Sequence, residues 1–210
     1  MILDLISLAV VAMLSTPPHE PAPDLAIGTT LPAADVKMKD VSGTELSLKE
    51  AAGKNGLLVI FSCNTCPFVV GTDGSAGWEG RYPELAAFSK RMEVGMVLVN
   101  SNEAKRDAGD DMAAMQDRFK NHKYGGRYVL DQNSAVADAF GAKTTPHVFL
   151  FNKDMKLAYK GAIDDNVANP SEVKEKWLHN AITNLVANKP IEPATTRNIG
   201  CSIKRVAHDH

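Results

Sequence analysis

The stretch Leu57-Leu-Val-Ile-Phe-Ser-Cys-Asn-Thr-Cys-Pro-Phe-Val-Val70 decides the fold of this chain. Its first five residues are apolar and predict a buried strand that ends at Ser62. Cys63 and Cys66 follow at C-x-x-C spacing, and we expect a helix to begin there. The free N–H groups and positive dipole end of a helix stabilise a thiolate. Cys63 is the predicted nucleophile because it lies nearest that helix end, and Cys66 is predicted to resolve the mixed disulfide.

The composition is typical of a globular protein, with 44% hydrophobic and 23% charged residues. A length of 210 residues fits one domain with additional end pieces. The formal net charge of -2 gives no electrostatic reason to expect nucleic acid as a partner. Three cysteines are too few for a disulfide scaffold, which favours a chemical role for the C-x-x-C pair.

The N-terminal 23 residues are interpreted as a segment that precedes the folded domain. Residues 5–14 form an apolar run, shorter than the roughly 20 residues of a membrane-spanning helix, that resembles the core of a secretory signal. No Lys or Arg precedes it and Asp4 interrupts it, so an ordinary helix is the alternative. Residues 16–23 are proline-rich and predict an extended linker. We expect an exported protein, periplasmic or membrane-anchored, with a cytoplasmic location as the alternative.

Residues 24–190 predict one α/β domain. A hairpin over residues 36–46 and a helix capped by Ser47 come before the central strand. Glycines between residues 71 and 80 are expected to break the helix after the cysteines. Further strands are predicted at residues 94–100, 127–130, 147–151 and 156–160. Further helices are predicted at residues 81–92, within 103–122, at 134–140 with Ser134 as the cap, and at 171–188.

The pattern resembles the thioredoxin-like superfamily in four features. They are the strand before Cys63-Asn-Thr-Cys66, the Thr145-Pro146 pair that opens a later strand, the hairpin with Gly161, and the final helix. The chain is most similar to the redoxin branch, which holds peroxiredoxin-like proteins and thioredoxin-like thiol reductases. The resemblance implies a three-layer α/β/α sandwich with an N-terminal hairpin and an inserted helical segment between Cys63 and Pro146.

Within that branch the chain is similar to bacterial "thiol-disulfide isomerase and thioredoxin" proteins. They share Phe61-Ser-Cys-Asn-Thr-Cys-Pro67, Tyr159-Lys-Gly-Ala-Ile-Asp-Asp165 and a tail like Ile199-Gly-Cys-Ser-Ile-Lys204. The resemblance implies thiol–disulfide exchange with protein thiols and disulfides, without a cofactor or a metal. If the protein is exported, it also implies a membrane partner that donates electrons.

The resemblance also implies roles for residues outside the C-x-x-C pair. Pro146 should follow a cis peptide bond and face the cysteines, with Thr145 and Pro146 presenting backbone to a substrate. Glu79 and Glu84 lie where related reductases carry a helper acid, although a solvated helix charge is the simpler interpretation. His147 either flanks the substrate groove or is a buried strand histidine.

Residues 191–210 form a tail that we expect to pack on the domain, because Ile199 and Ile203 flank its cysteine. That cysteine, Cys201, is either an inert thiol or an auxiliary residue that forms an alternative disulfide with Cys63. Two other functions stay open for the whole chain. One is copper delivery or other metal binding on the same fold. The other is a peroxiredoxin-like peroxidase, which is disfavoured because Gly56 and Ile60 stand where its Pro and Thr are required.

Overall fold

The computed structural model describes residues 23–206, so the apolar run at residues 5–14 lies outside the described residues. Within residues 23–206, no helix has the length and apolar character needed to cross a membrane. Nine strands in this range form two sheets: β1 (Met38–Asp40), β2 (Glu45–Leu46), β3 (Gly56–Ser62), β4 (Val94–Asn100), β5 (Arg127–Leu130), β6 (Thr144–Thr145), β7 (His147–Asn152), β8 (Leu157–Gly161) and β9 (Cys201–Ser202).

The larger sheet has the strand order β2-β1-β5-β4-β3-β7-β8, which puts β3 near its centre. Strand β3 runs parallel to β4 and antiparallel to β7, and all seven of its residues are buried. The hydrophobic run in the sequence therefore predicted this strand correctly. The smaller sheet contains only β6 and β9, and it joins the tail to the strand that precedes Pro146.

Six helices accompany the sheets in the described part of the chain: α1 (Leu48–Ala51), α2 (Pro67–Val70), α3 (Tyr82–Arg91), α4 (Met112–Asn121), α5 (Ala135–Phe140) and α6 (Trp177–Val186). Alternation along β3 points Leu58 and Ile60 to one face of the sheet, which α3 and α6 cover. Leu57, Val59 and Phe61 point to the other face, which α1 and α5 cover. The result is the three-layer α/β/α arrangement predicted from the sequence.

Helix α5 begins differently from the prediction. Ser134 has a left-handed backbone (φ +56°) and its side chain caps no helix. The carboxylate of Asp131 instead accepts the N–H groups of Val136 and Ala137, each at 2.9 Å. The Ser134 hydroxyl donates to the carbonyl of Ser101. Asp131 therefore caps α5 in place of the predicted Ser134.

Helix α6 begins at Trp177, six residues later than predicted. The N–H of Lys174 donates to the side chain of Asp165 rather than to a helical carbonyl, and Val173 is extended. The predicted helix at residues 103–122 is also divided. A 3₁₀ segment, Glu103–Ala108, is separated from α4 by Gly109, which has a φ of +99°.

The tail packs on the domain along its described length. The N–H of Thr196 donates to Lys160, and Asn198 donates to the hydroxyl of Thr144. Further along, the N–H of Ile203 donates to the carbonyl of Lys143, and Arg205 forms an ion pair with Asp138. The side chain of Ile203 is buried. The tail is thus a structural part of the domain, and it passes beside the C-x-x-C segment at Cys201.

Candidate active site

The loop of residues 63–66 joins the end of β3 to the start of α2. The helix begins at Pro67, and Cys66 is its N-cap residue. Proline suits the first position of a helix because the N–H it lacks would have no partner there. The expectation that Cys63 lies nearest the helix end is therefore wrong. Helix α2 has only four residues, because Gly71 leaves the helical conformation with a φ of +85°.

Three sulfur atoms meet at this loop. Cys63 is 0% and Cys66 is 3% exposed, and Cys201 on the tail is partly exposed. Cys63 and Cys201 are both neighbours of Cys66. The backbone N–H of Cys201 donates to the Cys66 sulfur over 3.3 Å. Cys66 is therefore the shared neighbour of the other two thiols.

The hydrogen bonds between the thiols separate their pKa values. Donation from the Cys63 thiol, together with the thiol and N–H of Cys201, lowers the pKa of Cys66 to about 5. The pKa of Cys63 is raised because its thiol donates to Cys66 and because it is buried near the charge of Asp110. Burial and the adjacent Cys66 raise the pKa of Cys201 to about 11. Cys66 is therefore the one of the three thiols whose pKa is lowered.

Thr145 contacts both sulfurs of the C-x-x-C pair. Its hydroxyl lies 3.2 Å from the sulfur of Cys63, and its carbonyl oxygen lies 3.2 Å from the sulfur of Cys66. The peptide bond between Thr145 and Pro146 is cis, as the resemblance implied. The backbone of Thr145 is already paired with Cys201 across β6 and β9. The edge expected to receive a substrate is thus occupied by the tail.

Asp110 holds the loop from the other side. Its carboxylate is fully buried and accepts four hydrogen bonds within the described residues. The donors are the N–H of Asn64 (2.6 Å), the hydroxyl of Thr65 (2.6 Å), and the side-chain amides of Asn100 (2.9 Å) and Asn102 (3.1 Å). Both residues between the two cysteines are therefore bound to a single carboxylate.

The position of Asp110 depends on the inserted segment and was not predicted from the sequence. Arg106 donates to the carbonyl of Asp110 and to the side chain of Asn100, which fixes the turn before α4. The sequence does carry one signal, the pair Asp110-Asp111 ahead of a helix. Asp111 alone caps α4, by accepting the N–H groups of residues 113 and 114, so its neighbour is free for another role.

Comparison with known proteins identifies the family. A model of the Redoxin family matches residues 26–176, which is well over half of the chain. The chain belongs to the Redoxin family. No curated protein matches its sequence. Family membership supports a redox enzyme in general.

Two solved structures are similar to this redoxin over most of its length. A hypothetical protein from Sinorhizobium meliloti 1021 is 30% identical, with a TM-score of 0.76 over 89% of this chain and 98% of that one. An uncharacterized conserved protein from Geobacillus kaustophilus is 26% identical, with a TM-score of 0.78 over 88% and 94%. A thioredoxin-like protein in its oxidized form, 16% identical with a TM-score of 0.58 over 79% and 99%, shares the fold. The predicted thioredoxin-like fold is confirmed.

The predicted helper acids lie elsewhere in this redoxin. Glu84 is exposed on α3 and lines a surface cavity together with Arg81 and His179. Glu79 is buried, and its carboxylate pairs with Arg118 at 2.7 Å and accepts the hydroxyl of Tyr124. Glu79 therefore forms a buried structural ion pair with Arg118 and is not the solvated charge that was expected. The carboxylate that faces the C-x-x-C loop belongs to Asp110.

His147 is a buried strand histidine and does not join the cysteines. It packs against Phe149 on the sheet face opposite to Cys63, with ring centroids 4.4 Å apart. Burial lowers the pKa of His147 to about 4, so its ring is neutral at pH 7. Within residues 23–206, no three His, Cys, Asp or Glu side chains are grouped closely enough to hold a metal ion. The Cys-Cys-His set that copper delivery would use is not assembled in this range.

Proposed function

We propose that this redoxin is a thiol–disulfide oxidoreductase that exchanges disulfides with protein substrates through Cys63 and Cys66. The observation that carries the proposal is the Cys66 sulfur, which accepts the N–H of Cys201 over 3.3 Å and whose lowered pKa favours a thiolate, three residues from the second thiol of the pair. A thiolate is the reactive species in thiol–disulfide exchange. The reaction needs no organic cofactor and no metal, because the two cysteines carry both electrons.

The N–H that Cys201 donates to the Cys66 sulfur favours Cys66 as the attacking residue, the reverse of the roles predicted from the spacing. The Cys66 thiolate attacks one sulfur of a substrate disulfide, and the other substrate sulfur leaves as a thiolate. Cys63 then loses its proton and attacks the Cys66 sulfur. The Cys63–Cys66 bond forms, the bond to the substrate breaks, and the second substrate sulfur leaves. The substrate gains two electrons and the protein loses two.

Apolar side chains near the loop support a protein substrate. Phe68 on α2 and Ile199 on the tail are both exposed, at 38% and 40%. Trp78 connects them, because its backbone N–H donates to the carbonyl of Phe68 and its indole donates to the carbonyl of Ile199. Exposed apolar groups beside a reactive sulfur suit a polypeptide partner. Because Cys66 is nearly buried, β9 must move aside to admit that partner.

The cellular setting is a further part of the proposal. The apolar run at residues 5–14 supports export, to the periplasm or to a membrane-anchored form. An exported reductase needs a supply of electrons, for which we propose a membrane donor. Detection of the protein in a periplasmic extract, against a cytoplasmic marker enzyme, tests the location.

The test of the function is reduction of a protein disulfide such as that of insulin, with dithiothreitol as electron source. We expect Cys63→Ser and Cys66→Ser each to lower the rate by at least about 10³-fold, since each removes one end of the disulfide. Circular dichroism establishes that both variants are folded. A wild-type rate in either variant would contradict the proposal.

The same samples distinguish the two other functions. Hydrogen peroxide consumption that outpaces insulin reduction would favour the peroxidase, for which the Thr145 hydroxyl beside Cys63 is the supporting contact. Stoichiometric copper that is lost in Cys63→Ser/Cys66→Ser, without insulin reduction in the wild type, would favour metal delivery. Each outcome excludes the proposed exchange as the main activity.

A further inference from the structure

The position of Cys201 is set by a strand pairing and not by a flexible chain end. In the pairing of β6 with β9, Cys201 lies opposite Thr145, the residue that contacts both C-x-x-C sulfurs. The N–H of Cys201 donates to the sulfur of Cys66 over 3.3 Å. The structure therefore brings Cys201 to Cys66 and not to Cys63, the partner considered from the sequence.

Several contacts on both sides of Cys201 hold this register. Gly200 packs against the backbone of Thr145, where a Cβ atom would lie 2.2 Å from the carbonyl oxygen. Beyond the cysteine, the N–H of Ile203 donates to Lys143 and the N–H of Lys204 donates to Asn102. Arg205 pairs with Asp138 at 2.6 Å. A glycine at the closest approach and anchors beyond it indicate a built contact.

We propose that Cys201 is a third redox-active residue. It replaces Cys63 as the disulfide partner of Cys66, so that the disulfide moves from Cys63–Cys66 to Cys66–Cys201. The inference rests on the proposed function, because that reaction supplies the Cys63–Cys66 disulfide. In the exchange the Cys201 thiol loses its proton and attacks the Cys66 sulfur. The Cys66–Cys201 bond forms, the Cys63–Cys66 bond breaks, and Cys63 leaves as a thiolate that takes up a proton. No electrons are gained or lost overall.

The charge on the three sulfurs favours this order of events. Apart from burial, the pKa of Cys201 is raised by its contact with Cys66. Once Cys66 is part of a disulfide, it carries no negative charge, and that contribution disappears. The Cys201 thiol is therefore easier to ionise in the oxidised protein, when it has to attack, than in the reduced protein.

The exchange moves the disulfide towards solvent. Cys63 and Cys66 are buried, and Cys201 is the one of the three that solvent reaches. A donor dithiol can attack the Cys201 sulfur without entering the site, and Cys66 leaves as a thiolate that takes up a proton. The second donor thiol then attacks the first donor sulfur, so that the donor becomes a disulfide, Cys201 leaves as a thiolate that takes up a proton, and all three residues are thiols again. Reduction of the substrate at Cys66 and re-reduction of the protein at Cys201 thus use different ends of one three-cysteine chain, and β9 moves back over Thr145 between the two steps.

The experiment is disulfide mapping of the full-length Cys63→Ser variant after oxidation with diamide and acid quenching. Trypsin releases residues 198–204, which contain Cys201, and residues 55–81, which contain Cys66. We expect these two peptides to be joined in most molecules of Cys63→Ser. In Cys66→Ser, we expect a Cys63–Cys201 link to be at least about 10-fold less abundant, because Cys201 contacts Cys66.

A register control uses the neighbouring residue. In the Cys63→Ser background, Cys201→Ser combined with Ser202→Cys moves the thiol to the opposite face of β9. We expect the yield of the joined peptides to fall by at least about 10-fold. Free thiols in oxidised Cys63→Ser, or an equal yield in the register control, would overturn the proposal. Oxidised wild-type protein provides a second measurement, in which a fraction of peptide 198–204 should be joined to peptide 55–81 through Cys66, which fragmentation of the joined peptides distinguishes from Cys63 in the same peptide.

The single variant Cys201→Ser separates this inference from the proposed function. If Cys201→Ser forms the Cys63–Cys66 disulfide while Cys63→Ser forms no link to Cys201, the proposal that Cys201 is redox-active is wrong and the proposed function stands. If neither the wild type nor Cys201→Ser forms Cys63–Cys66, the proposed function is wrong, and the inference that depends on it is wrong as well.

Discussion

The C-x-x-C loop is held from two sides by segments of different character. On one side, Asp110 in the inserted segment binds the two residues between the cysteines and touches neither sulfur. On the other side, the tail contacts the Cys66 sulfur directly, through Cys201. The first segment fixes the shape of the loop, and the second sets the charge and access of the reacting atom. Substitutions in the two segments should therefore have separable effects on stability and on thiol chemistry.

The largest effect is expected on the Asp110 side. Asp110→Ala leaves four donors without their acceptor, three of them on the buried residues Asn64, Asn100 and Asn102, which should lower the free energy of unfolding by about 3 kcal/mol or more. Urea denaturation measures the loss. The matched control is Asp111→Ala, one residue further on, which removes only the cap of α4 and should be clearly less destabilising. Equal losses in the two variants would show that the carboxylate of Asp110 does not organise the loop.

The next effect tests the tail side without removing a thiol. Gly200→Ala forces a Cβ against the carbonyl of Thr145, so the tail backbone must shift, at a cost of about 1–3 kcal/mol. We expect Cys201 to react faster with a disulfide reagent such as Ellman's reagent, since β9 no longer holds it against Thr145 and Cys66. Gly74→Ala, where nothing lies within 4 Å of the new Cβ, serves as control and should change stability by less than about 0.5 kcal/mol. An unchanged Cys201 rate in Gly200→Ala would contradict the close approach.

The smallest effect concerns the pH dependence of Cys66. Alkylation of Cys66 by iodoacetamide should fall as the pH drops through its pKa of about 5, because the thiolate is then protonated. Cys63→Ala removes the strongest donor and should move this midpoint upward. Cys201→Ala removes a weaker donor, and its upward shift should be smaller. A wild-type midpoint near the ordinary value of 9.0 would contradict the hydrogen-bonded thiolate.

Local sequence patterns predicted most of the fold. Continuous apolar runs identified β3 and β4, and the capping box at Ser47 is present as expected, with reciprocal bonds between Ser47 and Glu50. The errors arose where a distant side chain competed with a local signal. Asp131 took the role predicted for Ser134, and Asp165 captured the N–H of Lys174 and delayed the start of α6.

The candidate site was predicted in part for a similar reason. The spacing of Cys63 and Cys66 is visible in the sequence, and the resemblance pointed to Thr145 as their neighbour. The contact between Asp110 and the loop spans 46 residues, and that between Cys201 and Cys66 spans 135. Such contacts depend on how an insertion docks and in which register a two-residue strand pairs. Neither is encoded by a short pattern.

The tail contact also has a consequence for biosynthesis. A chain is made from its N-terminus, so Cys63, Cys66 and Thr145 emerge before the residues that cover them. Until Cys201 and its anchors as far as Arg205 have been synthesised, the Cys66 sulfur lacks one of its donors and its lid. In nascent chains the Cys66 thiol is therefore exposed to foldases and oxidants with a different reactivity. Cys66 acquires the reactivity that it has in the folded protein only when β9 has docked.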